Sequence, residues 1–290
     1  YPLTHGIFVN DVPLGDTGVS MAEAFKAGGY DTAYIGKWHL DGRGRSAFIP
    51  KERRKGFDFW RVMECTHRYH SSYYYGDEPV KLLWPGYDAE EQTRCAQEYI
   101  RSRQGGRPFL LVLSFGPPHD PYDTAPEAMR RLYDPSGLTL RPNVPKELEE
   151  RSRRDLAGYY AHVTAIDACV GRLLETLREE GLEENTIFVY TSDHGDMLGS
   201  QGLQRKQKPY DESILVPFLL RYPRMFGSEG RVVRTPINTP DILPTLLGLS
   251  GLPIPDSVEG SDYSAFLRSE APAPAGSESA LLMCIQPNGE

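Results

Sequence analysis

Thr186-Ile187-Phe188-Val189-Tyr190-Thr191-Ser192-Asp193-His194-Gly195-Asp196 is the stretch whose reading decides the fold of this chain. Its first half is a continuous apolar, β-branched and aromatic run, which predicts a strand buried on both faces. Its second half turns polar abruptly, and polar groups are costly to bury without partners. A buried strand that delivers an acid and an imidazole to its carboxyl end is where an open α/β sheet places its chemistry. Asp193 offers a hard oxygen and His194 a nitrogen, a pair suited to a divalent cation. The plainer reading is a turn closed by Asp193, with Gly195 letting the chain bend.

Two further strands end in the same manner. Residues 31–35 predict a strand that runs straight into Gly36-Lys37-Trp38-His39-Leu40. Residues 109–115, with no interior charge, predict another that empties into Gly116-Pro117-Pro118-His119-Asp120-Pro121-Tyr122. Parallel strands carry their carboxyl ends to one edge, so Lys37, His39, His119, Asp193 and His194 are expected to converge. Singly, each has a structural reading: Trp38 beside His39 fits packing, and His119 fits the cap of a Pro-rich turn. Together they favour a site that binds an anion and moves protons. A Ser-His-Asp hydrolase is disfavoured because no Gly-x-Ser-x-Gly turn occurs. No Gly-rich phosphate loop precedes a helix either.

Between the strands lie helical signals. Ser20-Met21-Ala22-Glu23 is a capping box for a short helix that Gly28-Gly29 should end. Asp88 and Glu91 predict a second capping box and a helix to about Arg103. From Pro145 comes the longest pattern, with Leu156, Tyr159, Val163, Ile166, Val170, Leu173 and Leu177 forming one stripe against a sheet. Residues 43–55 are polar and basic, an expected surface excursion. The aromatics between Arg68 and Tyr87 either line a substrate mouth or cover the core, the second being favoured. Residues 214–220 predict an edge or bulged strand because of Pro217. Thr239-Pro240-Asp241 opens a helix that Gly251 ends. Alternation of helix and strand predicts an α/β fold, a mostly parallel central sheet flanked by helices.

With 290 residues, 39% hydrophobic and 25% charged, the chain suits one large soluble-type domain with at most a small appendage. Its expected limits are residues 1–260, with 261–290 a Pro- and Ala-rich linker leading into a strand-like run at 280–285. No apolar run approaches a membrane span. The formal charge of −8 argues against a nucleic-acid partner. An anionic substrate would therefore need a positive site built locally against the overall field. Four cysteines lie without metal-like spacing, and Cys95 and Cys169 fall inside helical patterns as small core residues. The chain opens without Met and stops just after a strand-like run, so it is expected to be cut at both ends. Neither its compartment nor its oligomeric state is legible.

Four segments carry a resemblance: Gly36-Lys37-Trp38-His39-Leu40; Pro117-Pro118-His119-Asp120-Pro121-Tyr122; Ser192-Asp193-His194-Gly195-Asp196-Met197-Leu198-Gly199; and Lys206-Gln207-Lys208-Pro209-Tyr210-Asp211-Glu212-Ser213. In this order they resemble the type I sulfatases of the alkaline phosphatase superfamily, as do Val216-Pro217 and the run Asp241-Ile242-Leu243-Pro244-Thr245-Leu246-Leu247. The resemblance implies an alkaline-phosphatase-like fold and hydrolysis of sulfate esters of a small molecule or glycan. It implies calcium ligands at Asp193 and His194, the latter where many relatives carry Asn. Lys37 and Lys206 would grip the sulfate, Lys206 rather than Lys208 because the family's lysine stands four residues before the tyrosine. His39 would orient or deprotonate the nucleophile, and His119 would bind substrate and protonate the leaving oxygen.

The family's nucleophile is a formylglycine made within Cys/Ser-x-Pro-x-Arg, and none of the four cysteines has Pro two residues later. Tyr1-Pro2-Leu3-Thr4-His5-Gly6 resembles the segment just after that motif. The nucleophile and two further metal aspartates are thus expected upstream, and the 290-residue piece alone is expected to be inactive. The alternatives are a phosphate or phosphonate ester hydrolase of the same superfamily, and a non-catalytic sulfoglycan-binding module.

Overall fold

A computed structural model describes residues 2–103 and 106–282. Five strands form one mixed sheet: β1 (Asp31–Lys37), β2 (Phe59–Met63), β3 (Tyr73–Tyr75), β4 (Lys81–Leu83) and β5 (Phe109–Ser114), in the order β4-β3-β2-β1-β5. β1 runs parallel to both neighbours, β2 and β5, so all three release their carboxyl ends at one edge. β3 and β4 extend the sheet in antiparallel fashion. Side chains alternate along β5: Phe109, Leu111 and Leu113 pack with Ile35, Cys95, Leu173 and Leu177. Leu110 and Val112 pack on the opposite side with Trp38, Phe57 and Trp60. Helices Asp88–Arg101 and Glu149–Glu179 cover the first face. Helices Met21–Ala27 and Thr239–Leu249 meet around Phe25 and Leu247 on the other. No described helix is long and apolar enough to cross a membrane.

The 186–191 stretch departs from its reading. Its strand, β6 (Phe188–Thr191), pairs with antiparallel β7 (Phe218–Arg221), is half-buried, and leaves Thr191 exposed. Among the described residues no ladder joins this pair to the larger sheet. Phe188 nevertheless packs in the same cluster as Phe109, Leu111 and Leu113, so β6 shares the core on that face of the larger sheet. Pro217 stands just ahead of β7, where no ladder N–H is needed.

β2 was not legible because Arg61 interrupts an apolar run. Its guanidinium lies 4.7 Å from the Phe59 ring centroid, so the charge is accommodated along the strand. The tyrosine-rich segment holds β3 and β4, and Tyr69, Tyr75, Trp84 and Tyr87 are buried, as the core-covering reading expected. Asp88 does not build a capping box. Tyr87 is the N-cap, and the buried Asp88 carboxyl instead accepts from the Ser72 hydroxyl at 2.5 Å. Burial pushes that carboxyl up to about 6.

The long helix buries a different stripe from the one expected. Ile166, Leu173 and Leu177 are buried, but Val163 is exposed and Tyr159 half-buried, while Ala157, Gly158, Ala161 and Ala165 face inward. The reason is close approach: a Cβ on Gly158 would stand 2.2 Å from the Tyr122 carbonyl oxygen. Gly158→Ala is therefore expected to destabilise the fold by about 1–3 kcal/mol through overpacking. An unchanged urea midpoint in that variant would refute the packing argument. Beyond the helix Thr239–Leu249, part of the expected linker is folded: Tyr263 and Leu267 pack on Leu249. Of the strand expected at 280–285, residues 283 onward lie outside the described residues, and 280–282 are not in a strand.

Candidate active site

The carboxyl end of β1 is shaped by Gly36, whose φ is 109° and whose Cβ, if present, would stand 2.0 Å from the Ser114 carbonyl oxygen. Only glycine lets β1 close on β5 in that conformation. Lys37 follows as the last strand residue, its carbonyl accepting from the Tyr34 hydroxyl at 2.7 Å. His39, at φ 55°, donates its backbone N–H to Glu64 O at 2.8 Å, and its Nε2 lies 3.1 Å from Asp11 Oδ1. Asp11 is also gripped by Arg45, at 3.1 and 2.8 Å. Hydrogen bonds from Arg45 and then His39 hold the Asp11 carboxyl down at about 2.

β5 releases a loop with cis peptide bonds at Pro117-Pro118 and Asp120-Pro121. His119, between them, is nearly enclosed; its Nδ1 lies 3.0 Å from the Asp120 carbonyl oxygen and 3.1 Å from Asp120 Oδ1. The Lys206 ammonium meets His119 Nε2. An ammonium only donates, so His119 accepts at Nε2 and carries its proton on Nδ1. Burial lowers its affinity for a second proton, the Asp120 carbonyl opposes this, and the charges of Lys206 and Lys37 lower it further. The same burial, then Lys37, lowers the Lys206 pKa against Asp193 and Asp120.

β6 delivers Asp193 and His194 to the same place: the His194 ring lies 5.8 Å from that of His119, edge to face. His194 Nδ1 donates to Gly195 O at 2.7 Å, leaving the Nε2 lone pair free and 3.5 Å from Asp193 Oδ2. Metal-ligating histidines show this arrangement, one nitrogen fixed by a carbonyl and the other presented to the ion. The pair therefore fits a hard divalent cation, as part of a shell. Among the described residues no group of three or more His, Cys, Asp and Glu side chains stands together to complete it.

The structure thus brings together Lys37, His119, Asp193, His194 and Lys206. His39 reaches the same edge but is engaged with Asp11 on its flank. A cleft of about 900 Å³ opens beside His194, with Pro118, Tyr159, Tyr190 and Tyr210 in its wall. Sequence reasoning missed what anchors the loops. Tyr122 donates to Asp196 Oδ2 at 2.7 Å, tying the 116–124 loop to the 192–199 loop. The Tyr69 hydroxyl holds Asp120 O at 3.1 Å.

Beneath them lies His162, with no exposed surface, its Nδ1 2.7 Å from the Tyr87 hydroxyl and its Nε2 3.3 Å from Thr124 Oγ1. Burial depresses its pKa from 6.5 to about 4. The ring is neutral in the fold and gains a proton on unfolding. Its contribution is complete above pH 6.5 and is lost as pH falls toward 4, amounting to about 3 kcal/mol. His162→Gln should flatten the fall in urea midpoint across that window. A parent and variant with the same pH slope would refute this.

Comparison with known proteins accords with the geometry. The sulfatase family model matches residues 1–252. An ulvan-active sulfatase of Formosa agariphila is 47% identical over 99% of this chain and 57% of its own length. An endo-4-O-sulfatase of Bacteroides thetaiotaomicron is 30% identical over 91% of this chain and 58% of its own. A solved structure described with that bacterium's metabolism of multiple glycosaminoglycans superposes with a TM-score of 0.86 at 30% identity, covering 96% of this chain and 64% of that one. The chain spans less than two thirds of the length of each. On the order of its motifs, the meeting of its strand ends and these likenesses, it belongs to the sulfatase family, the type I sulfatases of the alkaline phosphatase superfamily.

Proposed function

We propose that this site, in the full-length protein, hydrolyses sulfate esters. The observation that carries the reading is the Lys206–His119 contact, with Lys37 close enough to depress both pKa values, in a chain of net charge −8. Two ammonium groups held together at a cost invite an anion that relieves the repulsion. Lys37 and Lys206 grip the sulfate oxygens, where preorganised charge favours the transition state over the bound ester. An arriving anion also raises the proton affinity of His119 Nε2, which faces the leaving oxygen and can hand it a proton. His39, held by Asp11, orients or deprotonates the nucleophile.

Asp193 and His194 would hold a divalent cation, calcium by the family likeness, with Asp193 supplying the hard oxygen and His194 a nitrogen. Such an ion, when bound, polarises the sulfate and assists the nucleophile. The nucleophile, a formylglycine, comes from polypeptide outside these 290 residues, since none of them stands in the Cys/Ser-x-Pro-x-Arg pattern. The substrate class is a sulfated glycan, on the ground that the relatives are described as an ulvan-active sulfatase and an endo-4-O-sulfatase. The test is inorganic sulfate released from sulfated polysaccharides by the full-length protein, quantified by ion chromatography. Release that His119→Ala abolishes supports the reading. Binding of the polysaccharide without release would make the chain a sulfoglycan-binding module instead.

A further inference from the structure

β2 runs parallel to β1, so its carboxyl end also arrives at the site edge, and it delivers Glu64-Cys65-Thr66-His67. This fourth strand end is held from several sides. The buried Glu64 carboxylate accepts the backbone N–H groups of Asp41 and Gly42, both at 2.9 Å, pinning the segment after His39 to the end of β2. Cys65 donates its N–H to Arg45 O at 3.0 Å, and Thr66 Oγ1 accepts from the Arg68 N–H at 3.1 Å, closing the turn around His67. The His67 ring, exposed on its outer side, lies face to face on His119, with centroids 4.8 Å apart and planes 18° from parallel. His119 is thus covered by one imidazole on its face and met by His194 at 71°.

We propose that His67 is a positioning residue for His119: the stacked ring fixes the His119 plane so that Nε2 stays between Lys206 and the leaving oxygen. This rests on the reading of His119 as proton donor. An uncharged ring in this place does not oppose the imidazolium that proton donation requires. Burial, together with Lys37, Lys206 and Arg45, lowers the proton affinity of His67, and only Asp120 opposes. A neutral ring over His119 also attracts the imidazolium when it forms. Nothing in the amino-acid pattern singled out His67, because the strand that carries it was hidden by Arg61.

The experiment compares two sulfate esters in the full-length protein: 4-nitrophenyl sulfate, whose leaving group departs without a proton, and an alkyl sulfate, whose alkoxide needs one. His119→Ala should be far more damaging on the alkyl ester. His67→Ala should lower kcat on the alkyl ester roughly tenfold, the scale on which a misplaced donor acts, with KM unchanged and the aryl ester little affected. His67→Phe, which keeps the stack, should restore kcat, and His67→Ala should add nothing in the His119→Ala background. Equal losses on both esters, a change confined to KM, or failure of His67→Phe to rescue would overturn the proposal.

A second readout does not depend on turnover. The imidazole 15N resonances of His119 should be sharp in the parent and in His67→Phe, and broadened by motion of the ring plane in His67→Ala. Unchanged resonances would overturn the positioning role. A parent inactive on both esters but showing this NMR pattern would defeat the sulfatase reading while sustaining the role of His67.

Discussion

Lys206→Ala in the full-length protein should lower kcat/KM for a sulfate ester by about 10²–10³-fold, the loss typical of one preorganised donor. The residue does two things at once. On the proposed reading its ammonium grips the anion, and in the free site it meets His119 Nε2 as an acceptor. Its own pKa is depressed by burial and Lys37, so the charge is under strain in the free site and is relieved by an anion. The effect should fall on kcat and kcat/KM together, because the interaction strengthens as charge builds on the sulfate. Added calcium should not restore activity, since no ion takes the place of a lysine there. A variant with near-parent kcat/KM would remove Lys206 from the site.

Asp193→Asn should behave differently. It removes one charged oxygen beside the free Nε2 of His194, from a pair that is only part of a shell. Ligand charge sets affinity over decades in hard-cation sites, so the calcium giving half-maximal rate should rise at least about tenfold. At saturating calcium most of the lost activity should return. The contrast is decisive when calcium titrations of both variants are run beside the parent. A common response to calcium would mean that Asp193 and Lys206 are not divided between ion and anion.

Much of this arrangement was legible in the residues. The Ser20 cap, with Glu23 three residues on, forms as its pattern implied; β1 forms over the expected residues and runs two further, through Gly36 to Lys37, and β5 ends at Ser114, one residue short of the expected run. What escaped notice did so for physical reasons. Periodicity weighs large apolar residues, but the long helix approaches the Tyr122 backbone so closely that Gly158 and three alanines form its inner face. β2 was masked by an arginine that lies over its own strand's Phe59. With β2 went the placement of His67, the histidine in closest ring contact with His119. β6 reads as a strand buried on both faces, yet among the described residues it is laddered only to β7 and stays half-buried, since burial follows from neighbours and not from composition alone.

The measurement that bears most directly on the whole account is kcat/KM of the full-length protein on 4-nitrophenyl sulfate, phosphate and phenylphosphonate, assayed side by side with calcium present. The leaving group is the same throughout, so only the anion being transferred differs. The account predicts that the sulfate ester is hydrolysed at least about tenfold more efficiently than either phosphorus ester, one decade being about 1.4 kcal/mol of differential transition-state binding. Preferred turnover of the phosphate or phosphonate would contradict it.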